Sequence, residues 1–115
     1  MADLKQQPAL ADFQIFIQDV CRERGWDKRT HLEKMLFLTE EVGELAKAVR
    51  VDAGKYGYQK PDDISHLTEE LADVFSFLLD LANGYEVDLE QAFRAKWNKN
   101  STRKWHTDAE TKTSD

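Results

Sequence analysis

The 115-residue chain predicts an all-α fold, a bundle of four helices, and three observations carry that expectation. Four stretches place apolar residues at helical spacing and are separated by breakers rich in glycine or proline. Nothing in the chain reads as a pair of strands. One acidic phrase is also written twice, "LTEEVGEL" from Leu38 and "LTEELADV" from Leu67, each inside a helical stretch.

The first helix is expected from about Pro8 to Arg24, with Phe13, Ile17 and Val20 on one face and Gly25 as a stop. Pro8 suits a first turn, where a missing N–H would have had no partner. The second starts after Thr30, which with Glu33 forms a capping-box pattern, and runs to about Val51. Gly43 inside it costs about 1 kcal/mol relative to alanine, which suggests close approach by a neighbouring helix.

Residues 52–64, "DAGKYGYQKPDDI", read as a connecting loop. The third helix is expected from about Ser65 to Asn83, stopping at Gly84, and the fourth from Asp88, with Gln91 in a capping position. Beyond Trp105 the polar "HTDAETKTSD" reads as a frayed tail. Residues 1–105 are thus expected to be a single helical domain and 106–115 a flexible C-terminal tail.

A chain of this length holds one core. Its composition, 41% hydrophobic and 33% charged, is ordinary for a soluble globular protein. No apolar run approaches the ~18–20 residues that cross a bilayer, and "MADLKQQPALADF" lacks the charged and apolar regions of a signal peptide. The expectation is a cytoplasmic protein with no membrane partner. A net charge of −6 and a pI near 5.1 disfavour polymeric nucleic acid, whose binding needs a basic surface, and make cations the expected guests. Cys21 stands alone, so it offers neither a disulfide nor a cysteine zinc site and reads as a small buried hydrophobe.

The repeated phrase is the informative feature. At 100° per residue from Leu38, Val42 falls at about 40°, Val49 at about 20° and Leu45 at about 340°; Glu41 falls at about 300°, inside this apolar arc, and Glu44 at about 240°, on its edge. From Leu67 the same arithmetic puts Glu70 at about 300° and Asp73 at about 240°. Glu40 and Glu69 point outward, near 200°. A solvated face is the ordinary reading of acidic residues on one helix. Two copies in the same register on apolar arcs reverse it, because four carboxylates directed into one interior require a counter-ion.

Lysines do not supply it: Lys47 lies at about 180°, and only Lys34, at about 320°, comes near the arc. An all-oxygen ligand set suits Mg²⁺, with Mn²⁺ as substitute, and offers nothing to zinc's preference for nitrogen and sulfur. A di-iron bundle needs Glu-x-x-His, and no histidine here has a glutamate three residues before it.

With "EEVGE" at Glu40 to Glu44 and "ELAD" at Glu70 to Asp73, the chain from about Trp26 to Trp105 resembles the MazG-like all-α nucleoside triphosphate pyrophosphohydrolases. The resemblance implies Mg²⁺ held by Glu41, Glu44, Glu70 and Asp73. It also implies hydrolysis of a (d)NTP to (d)NMP and pyrophosphate by water attacking the α-phosphorus, in nucleotide-pool house-cleaning. Glu41 and Glu40 are the catalytic candidates; Glu40 reads equally as a base or further metal ligand beside the cluster or as a solvated carboxylate.

The fourth helix carries "KWNKNSTRKW", where Lys96, Asn100 and Arg103 share a stripe within about 60°. They are the candidate phosphate-binding residues, against the plain alternative of a basic helix C-terminus. The pattern resembles the C-terminal motif of the branch related to dCTP pyrophosphatases, with Trp105 where tyrosine is frequent. "ERGW" resembles the stretch before the metal helices, making Trp26 and Trp105 the base-stacking candidates, ahead of Phe13, Phe16 and His31. That branch tends to carry a second tryptophan where this chain has Val51, so cytosine selectivity is not carried over.

The third helix is apolar around more than half its circumference, which predicts a homo-oligomer; the resemblance implies a dimer or tetramer whose subunits share substrate pockets. Phosphoribosyl-ATP pyrophosphohydrolase is an alternative enzyme with the same architecture. A non-enzymatic helical dimerisation module binding a basic partner is the alternative outside catalysis.

Overall fold

The computed structural model describes residues 1–52 and 61–102, and within them every regular element is an α-helix. These are α1 (Leu10–Arg24), α2 (His31–Asp52), α3 (Pro61–Gly84) and α4 (Leu89–Ser101). No described helix is long and apolar enough to cross a membrane.

Local chemistry sets each boundary. α1 starts two residues after Pro8, where the Asp12 carboxylate accepts the Ala9 N–H at 2.8 Å. It ends in a left-handed residue, Gly25 at φ 75°, with Trp26 N–H reaching back to the Cys21 carbonyl at 2.7 Å. That six-to-one closure needs positive φ, which glycine adopts without penalty. At the head of α2 the capping box forms as expected: Glu33 N–H donates to Thr30 Oγ1 at 3.1 Å and Thr30 N–H to Glu33 Oε1 at 2.8 Å. Asp88 caps α4 by accepting the Gln91 N–H at 3.0 Å.

Two expectations change. Residues 61–64, read as loop, open α3 instead, with Pro61 at its first position, where the missing N–H costs nothing; residues 53–60 and the tail lie outside the described residues. Gly43 faces open space rather than a neighbouring helix. The close approach is at Gly84, where an added Cβ would stand 3.1 Å from His31 Cδ2.

α2 and α3 run antiparallel as the dominant pair, with Phe37 against Phe77 at 6.1 Å between ring centroids. α1 packs on α3 and α4 on α1. Gln14 ties three of them together: its amide donates to Asn83 Oδ1 at 3.0 Å and the Val87 carbonyl at 2.8 Å, and its Oε1 accepts the Leu89 N–H at 2.9 Å. Among the described residues the buried apolar ones are Cys21, Leu38, Ala48, Leu79 and Ala82. Val42 and Val49, expected on the inner arc of α2, are exposed. The inward stripe runs instead through Lys34, Leu38, Glu41, Leu45 and Ala48, and its centre falls near the angle of Glu41 rather than that of Leu38.

Candidate metal centre

The geometry that positions the acidic phrases follows from that stripe. Glu41 from α2 and Glu70 and Asp73 from α3 meet with one carboxylate oxygen each, all within 4.8 Å of one another. Glu70 is buried, Glu41 half-buried and Asp73 exposed, so the group is rooted in the helix seam and opens to solvent at Asp73.

Electrostatics there favours a cation. Glu41 is held above the ordinary carboxylate range, first by burial and then by the charges of Glu70 and Asp73, a hydrogen bond with Glu70 and the charge of Glu44. Glu70 Oε2 lies 3.5 Å from His66 Nε2, whereas its Oε1 is buried with no hydrogen-bond partner. A buried carboxylate oxygen without a donor is costly and uncommon. An oxygen-only donor set around such an atom fits a hard divalent cation held by Glu41, Glu70 and Asp73.

The other expected residues fall into separate places. Glu44 is exposed one turn along α2, outside the three-carboxylate group, and Glu40 is exposed on the outward side. Lys96 lines an apolar groove with Leu10, Phe75, Leu78, Leu89, Ala92, Phe93 and Trp97, while Asn100 is buried. Arg103 and Trp105 lie outside the described residues. Trp26 is half-buried, with the guanidinium groups of Arg24 and Arg29 at 5.0 and 4.8 Å from its ring centre.

The sequence reading missed two groups. His66 stands one turn before Glu70, a His-x-x-x-Glu spacing that was visible but unweighed. Lys34 is buried and pairs not with the acidic group but with Asp80, Nζ to Oδ1 at 3.2 Å. Cys21 Sγ donates to the same oxygen at 3.5 Å, and burial, then the Asp80 charge, push its thiol up to about 11. Cys21 is buried as expected, but as a polar contact.

A chain whose described elements are all helices, and which gathers carboxylates from two antiparallel helices around one buried, undonated oxygen, has the chemistry of a cation-binding helical protein. The profile of the MazG nucleotide pyrophosphohydrolase domain matches residues 29–107, which include both acidic helices. The chain belongs to that family. It is 34% identical over 105 residues to the uncharacterized protein YvdC of Bacillus subtilis (strain 168), covering 84% of this chain and 97% of that protein. It is 32% identical over 102 residues to dCTP pyrophosphatase 1 of Rattus norvegicus, covering 84% of this chain and 59% of that protein. The human protein of the same name is also 32% identical over 102 residues, with 84% and 59% covered.

Proposed function

We propose that this chain is a Mg²⁺-dependent nucleoside triphosphate pyrophosphohydrolase, cleaving a (d)NTP to (d)NMP and pyrophosphate by attack of water at the α-phosphorus. The observation that carries the reading is the Glu41, Glu70 and Asp73 group with its undonated Glu70 oxygen, on a chain of the MazG family. Mg²⁺, or Mn²⁺ in its place, would polarise phosphoryl oxygens and lower the pKa of water. Glu41, Glu70 and Asp73 hold the ion, and Glu44, exposed on the next turn of α2, completes the acidic mouth.

Glu41 acts through the ion it would hold, and Glu40 beside it is the group assigned to accept the water's proton. Lys96, Asn100 and Arg103 are assigned to the phosphates, and Trp26 and Trp105 to the base. Trp26 already carries two cationic neighbours, which suit a ring stacked near a polyanion.

Assembly belongs to the same proposal. Leu32, Leu36, Met35, Val42 and Val49 of α2 and Phe93 and Trp97 of α4 are exposed, the last two at 63% and 57%. A domain of this size does not ordinarily leave so much apolar surface in water, so we assign a dimer or tetramer with residues 1–105 as the domain. The setting proposed is a cytoplasmic nucleotide pool and its house-cleaning.

Pyrophosphate release from a panel of ribo- and deoxyribonucleoside triphosphates, with phosphoribosyl-ATP included, tests the activity. dCTP is the first substrate to try, given the name of the mammalian relatives. Release that requires Mg²⁺ is expected; no release from any of them, by protein shown to bind the metal, would overturn the proposal.

A further inference from the structure

The ion pair between Lys34 and Asp80 stands apart from the acidic group, yet it shares its seam. Both side chains are 8% exposed, and Nζ lies 3.2 Å from Oδ1. Lys34 precedes Glu41 by seven residues on α2, and Asp80 follows Asp73 by seven on α3. On antiparallel helices that is the same two-turn step, so the pair sits two turns from the carboxylates, with Phe37 and Phe77 between them.

Apolar contacts along such a seam discriminate poorly between registers. A slip of one turn, about 5.4 Å, toward the C-terminus of α3 would set Phe37 on Leu81, exchanging one apolar contact for another. The same slip would set Glu41 on Phe77 and leave Asp80 buried without its cation, which is heavily penalised. Buried ion pairs contribute little net stability, because desolvation offsets their attraction, and in some proteins their role is to distinguish one alignment from its neighbours. Asp80 also accepts the Cys21 thiol at 3.5 Å, so α1 is fastened to the same point.

We propose that Lys34 and Asp80 are positioning residues that fix the longitudinal register of α2 on α3 and so hold Glu41 opposite Glu70 and Asp73. The consequence for metal binding rests on the proposed function; the consequence for helix register does not. The two are therefore separable by experiment.

The test is the full-length double variant Lys34→Met/Asp80→Leu, compared with wild type and with the charge-swapped Lys34→Asp/Asp80→Lys. Nitroxides on Lys47→Cys and Ala72→Cys, both exposed positions, report the α2–α3 distance by pulsed electron resonance after dilution with unlabelled chain. All labelled proteins also carry Cys21→Ala, so that only the two introduced thiols take label. Mn²⁺ titration gives the metal affinity of unlabelled protein.

The apolar variant is expected to fold with an unchanged or higher melting temperature. Its distance distribution should broaden or shift, its Mn²⁺ affinity should fall by about 10–100-fold, and the charge swap should return both toward wild type. An apolar variant with the wild-type distance distribution overturns the proposal. A shifted distribution in protein whose wild type binds no Mn²⁺ upholds the register role and counts against the metal site instead. If the double variant does not fold, the uncharged Lys34→Gln/Asp80→Asn is read in the same way, and wild-type distances in it are equally fatal.

Discussion

Glu41 and Glu70, on different helices, bring carboxylate oxygens within 4.8 Å of each other at the centre of the α2–α3 seam, and the charge of Glu70 helps hold the Glu41 carboxyl above its ordinary pKa. A fold that needed only stability would place leucines here. The seam instead carries a repulsive group at one level and an attractive pair, Lys34 with Asp80, two turns away. Stability is given up where a cation is expected, and alignment is enforced nearby.

Replacing Glu70 with glutamine removes the buried charge while keeping its shape. Glu70→Gln is expected to raise the melting temperature of metal-free protein and to abolish the further rise on adding Mg²⁺. In wild type, Mg²⁺ at 100 times its dissociation constant should contribute about 2.7 kcal/mol. Turnover in the variant should fall by at least about 100-fold, the upper end of what outer-shell partners of a metal cost. Thermal melts with and without EDTA, beside a pyrophosphate assay, check each part; a metal-induced shift that survives in Glu70→Gln would count against this group as the site.

The raised pKa of Glu41 makes metal-free stability depend on pH. Its causes are burial first, then the charges of Glu70 and Asp73, so the native state binds this proton more tightly than the unfolded chain. The associated stabilisation is complete below the ordinary glutamate value of 4.5 and is lost as pH rises through the higher folded value. Wild type in EDTA should therefore lose stability relative to Glu41→Gln across that interval, and Mg²⁺ should narrow the gap. Denaturant melts of the two proteins at a series of pH values measure it.

Cys21 should be inert in the native protein. Burial and the Asp80 charge place its thiol at about 11 against an ordinary 9.0, so little thiolate exists at neutral pH and little of it is accessible. The stabilisation linked to that proton is full below pH 9.0 and is lost as pH rises through about 11. A disulfide reagent at pH 8 should react with this thiol only after denaturant is added; rapid reaction with native protein would contradict the geometry.

How much of this was legible beforehand depends on whether a signal was local. The capping pairs Thr30 with Glu33 and Asp88 with Gln91 were readable because both partners lie within one turn. Helical arithmetic points Glu41 and Glu70 inward, but the arc drawn from Leu38, Val42, Leu45, Ala48 and Val49 is off in phase, since Val42 and Val49 are exposed. Asp80 carries no such signal, because at about 220° from Leu67 it lies off the apolar arc of its helix. α3 packs against both α2 and α1, so its buried surface is wider than one stripe. The start of α3 is ambiguous in sequence, because Pro61 and the two aspartates after it suit both a loop and a helix N-terminus.

Gln14, buried on α1, is the only described side chain that holds Asn83 of α3, the Val87 carbonyl and the Leu89 N–H together. Asn83 returns a bond to the Gln14 carbonyl at 2.9 Å. Gln14→Leu keeps most of the volume but leaves those groups without their donor and acceptor, at a cost of roughly 3 kcal/mol. The loss falls on the first residue of α4, the helix that carries Lys96, whereas the Glu41, Glu70 and Asp73 group lies on α2 and α3. If Lys96 and its neighbours bind phosphate, Gln14→Leu should raise KM several-fold more than it lowers kcat, because substrate binding is weakened while the acidic group is left in place. Steady-state kinetics on folded variant, below its melting temperature, decide it: an equal loss in kcat with KM unchanged would mean that α4 acts on the acidic group itself and not on the phosphates.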